Sequence, residues 1–182
     1  MSRVVARANV KDMALLALVA RQHHPELLEA KVNIAFVLVH PKYDAQGIPQ
    51  GPALTRHGHP VAGRIRLAKP ADRLIGKYDA LLEVDAFRWE KALQAPSREA
   101  LLDHKLSHLV LVRDESGEIE THADGRPKLR LRPDDWAVTG FAAVIDRHRE
   151  AALEYQALEL VCRGCQLTFE QLPLTVRAAG NG

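Results

Sequence analysis

His104 and His108 stand four residues apart in the run Asp103-His104-Lys105-Leu106-Ser107-His108. On an α-helix this spacing puts both imidazoles on one face about one turn apart, where together they could grip a single metal ion. The chain holds nine histidines in 182 residues, a density at which chance alone yields roughly 0.4 pairs at this spacing. The pair is therefore read with its surroundings. Asp103 projects roughly 100° away from His104 on a helix, which suits a solvated charge better than a ligand. Lys105, between the histidines, has three donors and no acceptor when protonated. Downstream, the run Pro133-Asp134-Asp135 could cap a helix beginning near Trp136.

Other candidates have less around them. His57-Gly58-His59 falls in a loop that could approach the pair, although solvated loop histidines account for it as well. His148 is a further possible ligand, but Arg147 and Arg149 beside it fit a cationic helix end. His23, His24, His40 and His122 have no constellation in the sequence. Cys162 and Cys165 form one thiol pair with no second ligand pair, so zinc and redox readings compete with ordinary partly buried thiols.

The elements that must hold these residues follow from periodicity. Ser97 is placed to cap a helix from about Arg98 to Val112, with Glu99 near the positive end of its dipole and Leu101, Leu102, Leu106 and Leu109 as its buried stripe. Val10 to Ala20 reads as an earlier helix ending before His24-Pro25. Val32 to Val39 is a β-rich apolar run of strand length, Val61 to Leu67 alternates, and Leu81 to Asp85 supplies another strand. Residues 47–60 hold three prolines and three glycines and read as a loop. Phe87 to Leu93 suits a short helix, Lys128 to Arg132 a strand with a basic face, and Trp136 to Arg149 a last amphipathic helix. The sum is one α+β domain with a short mixed sheet and an active-site helix over residues 1–150, followed by an extension of unassigned role over 151–182.

Composition bounds the rest. A 47% hydrophobic, 26% charged chain fits one globular domain and argues against disorder or a disulfide scaffold. The formal charge of +2 leaves no global field that demands nucleic acid or a membrane. No window approaches a membrane span and the start lacks a secretory apolar stretch, so a cytoplasmic protein is expected.

The run from Arg98 through Asp114, followed by Asp124-Gly-Arg-Pro-Lys-Leu-Arg-Leu-Arg-Pro-Asp-Asp-Trp136 and Phe141-Ala-Ala-Val-Ile-Asp-Arg-His148, resembles a metallopeptidase family of bacteriophages and bacterial chromosomes. Ala53-Leu-Thr-Arg-His-Gly-His-Pro60 and Asp72-Arg-Leu-Ile-Gly76 are similar to the family's N-terminal half, so the resemblance covers roughly residues 10 to 150. It implies a small zincin-like fold, a helical His-Glu-x-x-His supplying two zinc ligands and a catalytic base, and a third ligand after the basic strand. On this chain those positions fall on His104, His108 and Asp134, with Lys105 where the glutamate belongs. The family's glutamate accepts a proton from zinc-activated water. A lysine there leaves two readings: a neutral Lys105, made less basic by the neighbouring dication, that serves as the base, or, more simply, lost or weakened hydrolysis in a pseudoenzyme. Two histidines and a carboxylate still suit zinc, and with open positions also non-haem iron(II).

Three functions compete at this point. The first is a metallopeptidase-like metal-binding protein acting on a peptide or protein partner. The second is a non-enzymatic protein that engages a phage or host partner on the same scaffold. The third is nucleic-acid binding through Arg126, Lys128, Arg130 and Arg132, although solvated edge charges explain that strand as well and no aromatic residues interleave it.

Overall fold

Apolar residues dominate Ile34–His40 (β2) and Ala80–Asp85 (β6), and these two strands pair in parallel at the centre of a four-stranded mixed sheet. The computed structural model describes residues 4–56, 58–133, 141–156 and 159. Val4–Arg7 (β1) runs antiparallel to β2 on one edge, and Gly63–Leu67 (β5) runs antiparallel to β6 on the other, in the order β1-β2-β6-β5. β1 has no counterpart in the sequence expectations, because its exposed valines carry no alternation.

The period-two pattern separates the faces. Phe36, Leu38, Ala80, Leu82 and Val84 join the main core with Leu16, Val19, Leu102, Leu106 and Trp89. On the opposite face Val39 packs with Ala53 and Leu54 of the loop before Thr55–Arg56 (β3) and His59–Pro60 (β4). Two carboxylates on β6 are satisfied where they are buried. Glu83 receives Nε and Nη2 of Arg64 at 2.7 and 2.9 Å, and Asp85 accepts the backbone N–H groups of Ala53 and Arg88 at 2.9 and 3.1 Å.

Val10–His23 (α1) begins at Asn9, whose side chain accepts the N–H of Asp12 at 3.0 Å, and it buries Leu16, Val19 and Ala20. Pro25–Glu29 (α2) follows, with proline in its first turn. Pro70–Gly76 (α3) links β5 to β6, and a turn of π-helix, Arg88–Ala92, follows β6.

The helix carrying the histidine pair, α4, spans Ala95–Ser107 and packs against α1 and β5. It starts and stops about three residues or more before the expected Arg98–Val112. Pro96 begins the first turn, so Ser97 lies inside the helix and caps nothing. At the other end Leu109–Leu111 (β7) leaves the helix to pair antiparallel with Leu129–Leu131 (β8). The apolar residues after His108 thus have strand partners, which outweighs their helical periodicity. The chain between β7 and β8 doubles back twice at Gly117 and Gly125, whose φ angles of 88° and 74° favour glycine. The helix Ala142–His148 (α5) ends in a 3-10 turn over Arg149–Ala151, and residues 153–156 are helical again. The expected start of that helix at Trp136 lies outside the described residues.

Candidate metal centre

His104 occupies the last turn of α4 and His108 is its C-terminal cap residue, so the pair spans the helix end. Both are more than nine-tenths buried, and their ring centroids lie 5.1 Å apart. Phe141, fully buried, sets an edge against each ring at 5.3 and 4.8 Å and fixes their planes. The Nδ1–H of His108 donates to the backbone carbonyl of Arg132 at 2.9 Å. A carbonyl can only accept, so this bond selects the neutral tautomer whose Nε2 carries the lone pair, as a metal ligand requires. Arg132 ties the same corner twice more: its N–H donates to the His108 carbonyl at 2.9 Å and its Nε to the Ser107 carbonyl at 2.7 Å. Its guanidinium sits 4.6 Å from the Phe141 ring centre.

A residue without an assigned role in the sequence completes the arrangement. Glu154, just beyond the 3-10 turn after α5, is 7% exposed, and its Oε1 pairs with Nδ1 of His104. Among the described residues no group besides that imidazole meets this oxygen. A carboxylate oxygen has two lone pairs, so one imidazole leaves it acceptor capacity toward the cavity. Glu154, His104, Lys105 and His108 all line one cavity of about 810 Å³. Two imidazoles and a carboxylate are by residue type a donor set that suits zinc, although the described group whose ligand atoms all lie within 4.8 Å of one another is a different one, His23, Asp103 and His148. The sequence did hold one signal for Glu154, a lone acid in the apolar run Ala151-Ala-Leu-Glu-Tyr155.

Asp103 is the clearest correction to the sequence reading. Instead of a solvated helix charge it is completely buried and accepts four hydrogen bonds. Its Oδ1 takes Nε2 of His24 at 2.8 Å and Nη2 of Arg147 at 2.7 Å, while Oδ2 takes Nε of Arg147 and Nε2 of His148, both at 2.8 Å. The face that looks away from the histidine pair is covered by α1 and α5, so 100° of helix rotation leads into a second buried environment. Burial pushes the Asp103 carboxyl up, but hydrogen bonds from His24, Arg147 and His148 and the Arg147 charge outweigh it and hold the group well below the usual carboxylate range. Burial likewise lowers His23, against the opposing pull of Asp103.

His23, Asp103 and His148 also form a group whose ligand atoms lie within 4.8 Å of one another, a separation that would admit a metal ion. Both Asp103 oxygens there are already engaged, and the Arg147 guanidinium stands where a dication would meet like charge. Asp103 with His24, Arg147 and His148 acts instead as a hydrogen-bonded hub that locks α4 between the end of α1 and the end of α5. His24 and His148 thus have a constellation that is invisible in their sequence neighbourhoods.

The remaining candidates are dispersed. Asp134 and His57, along with Cys162 and Cys165, lie outside the described residues. His59 is exposed in β4, and His122 accepts Nη1 of Arg73 at 3.1 Å. Along the basic strand, Arg126 pairs with Asp79, Lys128 donates to Glu120 at 2.8 Å, Arg130 is exposed, and Arg132 turns to the helix end as described. No helix among the described residues is long and apolar enough to cross a membrane.

The sequence matches the family described as putative phage metallopeptidase over residues 3–161, a span that includes the histidine pair, Lys105 and Glu154. No curated protein and no solved structure matches the chain.

Proposed function

We propose that this chain, which belongs to the putative phage metallopeptidase family, holds one zinc ion between His104, His108 and Glu154 and has lost or strongly weakened peptide hydrolysis. The observation that carries the metal reading is the buried carboxylate of Glu154 set against His104, in the cavity that His108 shares. A bound zinc ion would act as a Lewis acid on a peptide carbonyl and lower the pKa of water.

The chain's own residues supply ligands and orientation but no evident base. Arg132 and Phe141 hold the two imidazoles, with the His108 tautomer set for ligation. Lys105 stands at the position of the family's glutamate, and as an ammonium it has no lone pair with which to accept a proton. Glu154 is the one carboxylate among the described residues lining the cavity, and as a ligand it is unavailable for proton transfer. A metal-binding relic that engages a peptide or protein partner is the reading that uses every one of these residues. The same donors would accept iron(II).

Elemental analysis of the purified protein tests it. Near-stoichiometric zinc is expected, with loss in His104→Ala, His108→Ala and Glu154→Gln. Zinc retained in Glu154→Gln but lost in Asp134→Asn would move the third ligand to Asp134, and zinc absent from the wild type would end the metal reading.

A further inference from the structure

The cavity beside the histidine pair is lopsided in charge. Among the described residues Arg56 on β3, Arg64 on β5, Arg88 in the π-helical turn and Arg132 after β8 line it along with Lys105, and Glu154 is the one carboxylate described there. These cations are not equivalent. Arg64 is neutralised by its two bonds to Glu83. Arg132 keeps its charge, because its partners are the Ser107 carbonyl and the Phe141 ring. Arg56 is exposed and Arg88 half-buried, and neither side chain pairs with a carboxylate among the described residues. The chain is nearly neutral as a whole, so this excess is local to the cavity. A concave, partly desolvated wall concentrates such a field on whatever enters.

We infer that the cavity takes an acidic peptide segment, whose carboxylates meet Arg56 and Arg88. The assignment rests on the peptide-directed reading above and deepens it by naming the substrate or partner class. Arginine suits the role, since its planar fork accepts a carboxylate at two points. A peptide fits the walls better than a nucleic acid does. No Phe, Tyr or Trp is among the described lining residues, so bases would find no stacking platform, whereas Val61, Ile65 and Leu153 offer apolar surface to side chains between the acidic ones. A metal ion between the histidines and Glu154 would add positive charge on the same side.

The test uses fluorescein-labelled peptides of equal length and the same apolar positions, carrying Glu, Gln or Lys at the charged positions, and a single-stranded DNA oligonucleotide of similar size. Fluorescence anisotropy with the full-length protein is expected to give binding of the Glu peptide about tenfold tighter than the Gln peptide, weakening as salt rises. Arg88→Gln and Arg56→Gln are each expected to lose about fivefold on the Glu peptide and nothing on the Gln peptide, with zinc content and melting temperature unchanged. Equal affinity for the Glu and Gln peptides, Glu binding indifferent to both substitutions, or an oligonucleotide bound more tightly than the Glu peptide would overturn the inference. A protein that carries no zinc yet keeps the Glu-over-Gln preference and its loss in the arginine variants upholds the acidic-peptide site and overturns the metal centre alone.

Discussion

The imidazole N–H of His108 donates to the backbone carbonyl of Arg132 at 2.9 Å, so a residue just past strand β8 sets the protonation of a residue at the end of helix α4. The relationship explains why α4 stops where it does. Continuing the helix beyond His108 would remove β7 from β8 and leave the imidazole without the acceptor that orients it.

That bond predicts the state of the ring before any metal binds. Nitrogen-detected NMR of the metal-free protein is expected to show His108 as the Nδ1–H tautomer. Arg132→Ala keeps the carbonyl but removes the tie to Ser107 and the cover over Phe141. Zinc affinity in that variant should fall by about tenfold with stoichiometry intact, the usual scale for losing support around a ligand. Unchanged affinity would mean that the ring is held by Phe141 packing alone.

Lys105 is expected to be the block to hydrolysis. The wild-type protein should leave a peptide substrate intact over hours by mass spectrometry, whereas Lys105→Glu should cleave it in the presence of zinc and stop when His104 is also replaced. Comparable cleavage by the wild type would show that another group takes the proton.

The Asp103 hub should be worth more to stability than any surface ion pair in the chain. Asp103→Asn leaves Arg147, His24 and His148 competing for one weaker acceptor in a buried setting. Removing one partner of such a network costs about 3 kcal/mol when fully buried; Arg147 is one-third exposed, so about 2 kcal/mol is expected here, read as a shift in urea midpoint. Glu120→Gln, which breaks an exposed pair with Lys128, should shift the midpoint by less than about 0.5 kcal/mol. Equal effects from the two substitutions would contradict the hub.

Acid should destabilise the metal-free protein in two stages. His23 is held below its ordinary value, so the unfolded chain takes up a proton near pH 6.5 that the folded chain refuses until lower pH, and stability begins to fall there. Asp103 is depressed as well. The unfolded carboxyl protonates near pH 4 while the folded one stays ionised, so the stability it contributes is full above about pH 4 and lost as pH falls further. Urea midpoints measured with a chelator from pH 7 to pH 3 should show a shallow decline followed by a steep one, and Asp103→Asn should flatten the second while deepening the first, since it removes the carboxylate that opposes burial at His23.

Much of this architecture was legible in local sequence, because its signals span only a few residues. A β-rich apolar run placed β2, alternation placed β5 and a short run after Gly76 placed β6, each to within two residues, and four-residue spacing put His104 and His108 within reach of each other. The proline in the first turn of α4 and the strand partner of residues 109–111 moved both helix ends. A helical wheel tells which way Asp103 faces but not what lies there. The answer comes from α1 and α5, whose residues approach Asp103 only once the core has closed.

The sequence by itself determined the class of chemistry: a histidine pair at helical spacing, a lysine between them that cannot accept a proton, and a mixed α+β frame. Only the tertiary structure decided which described carboxylate lies against the pair, which histidines instead brace the helix, and which arginines lining the cavity have no carboxylate partner among the described residues. The physical reason is range. Spacing and side-chain chemistry act within a turn or a strand, whereas the burial and pairing that separate Glu154 from Asp103, and Arg88 from Arg64, depend on segments brought together by packing of the apolar core.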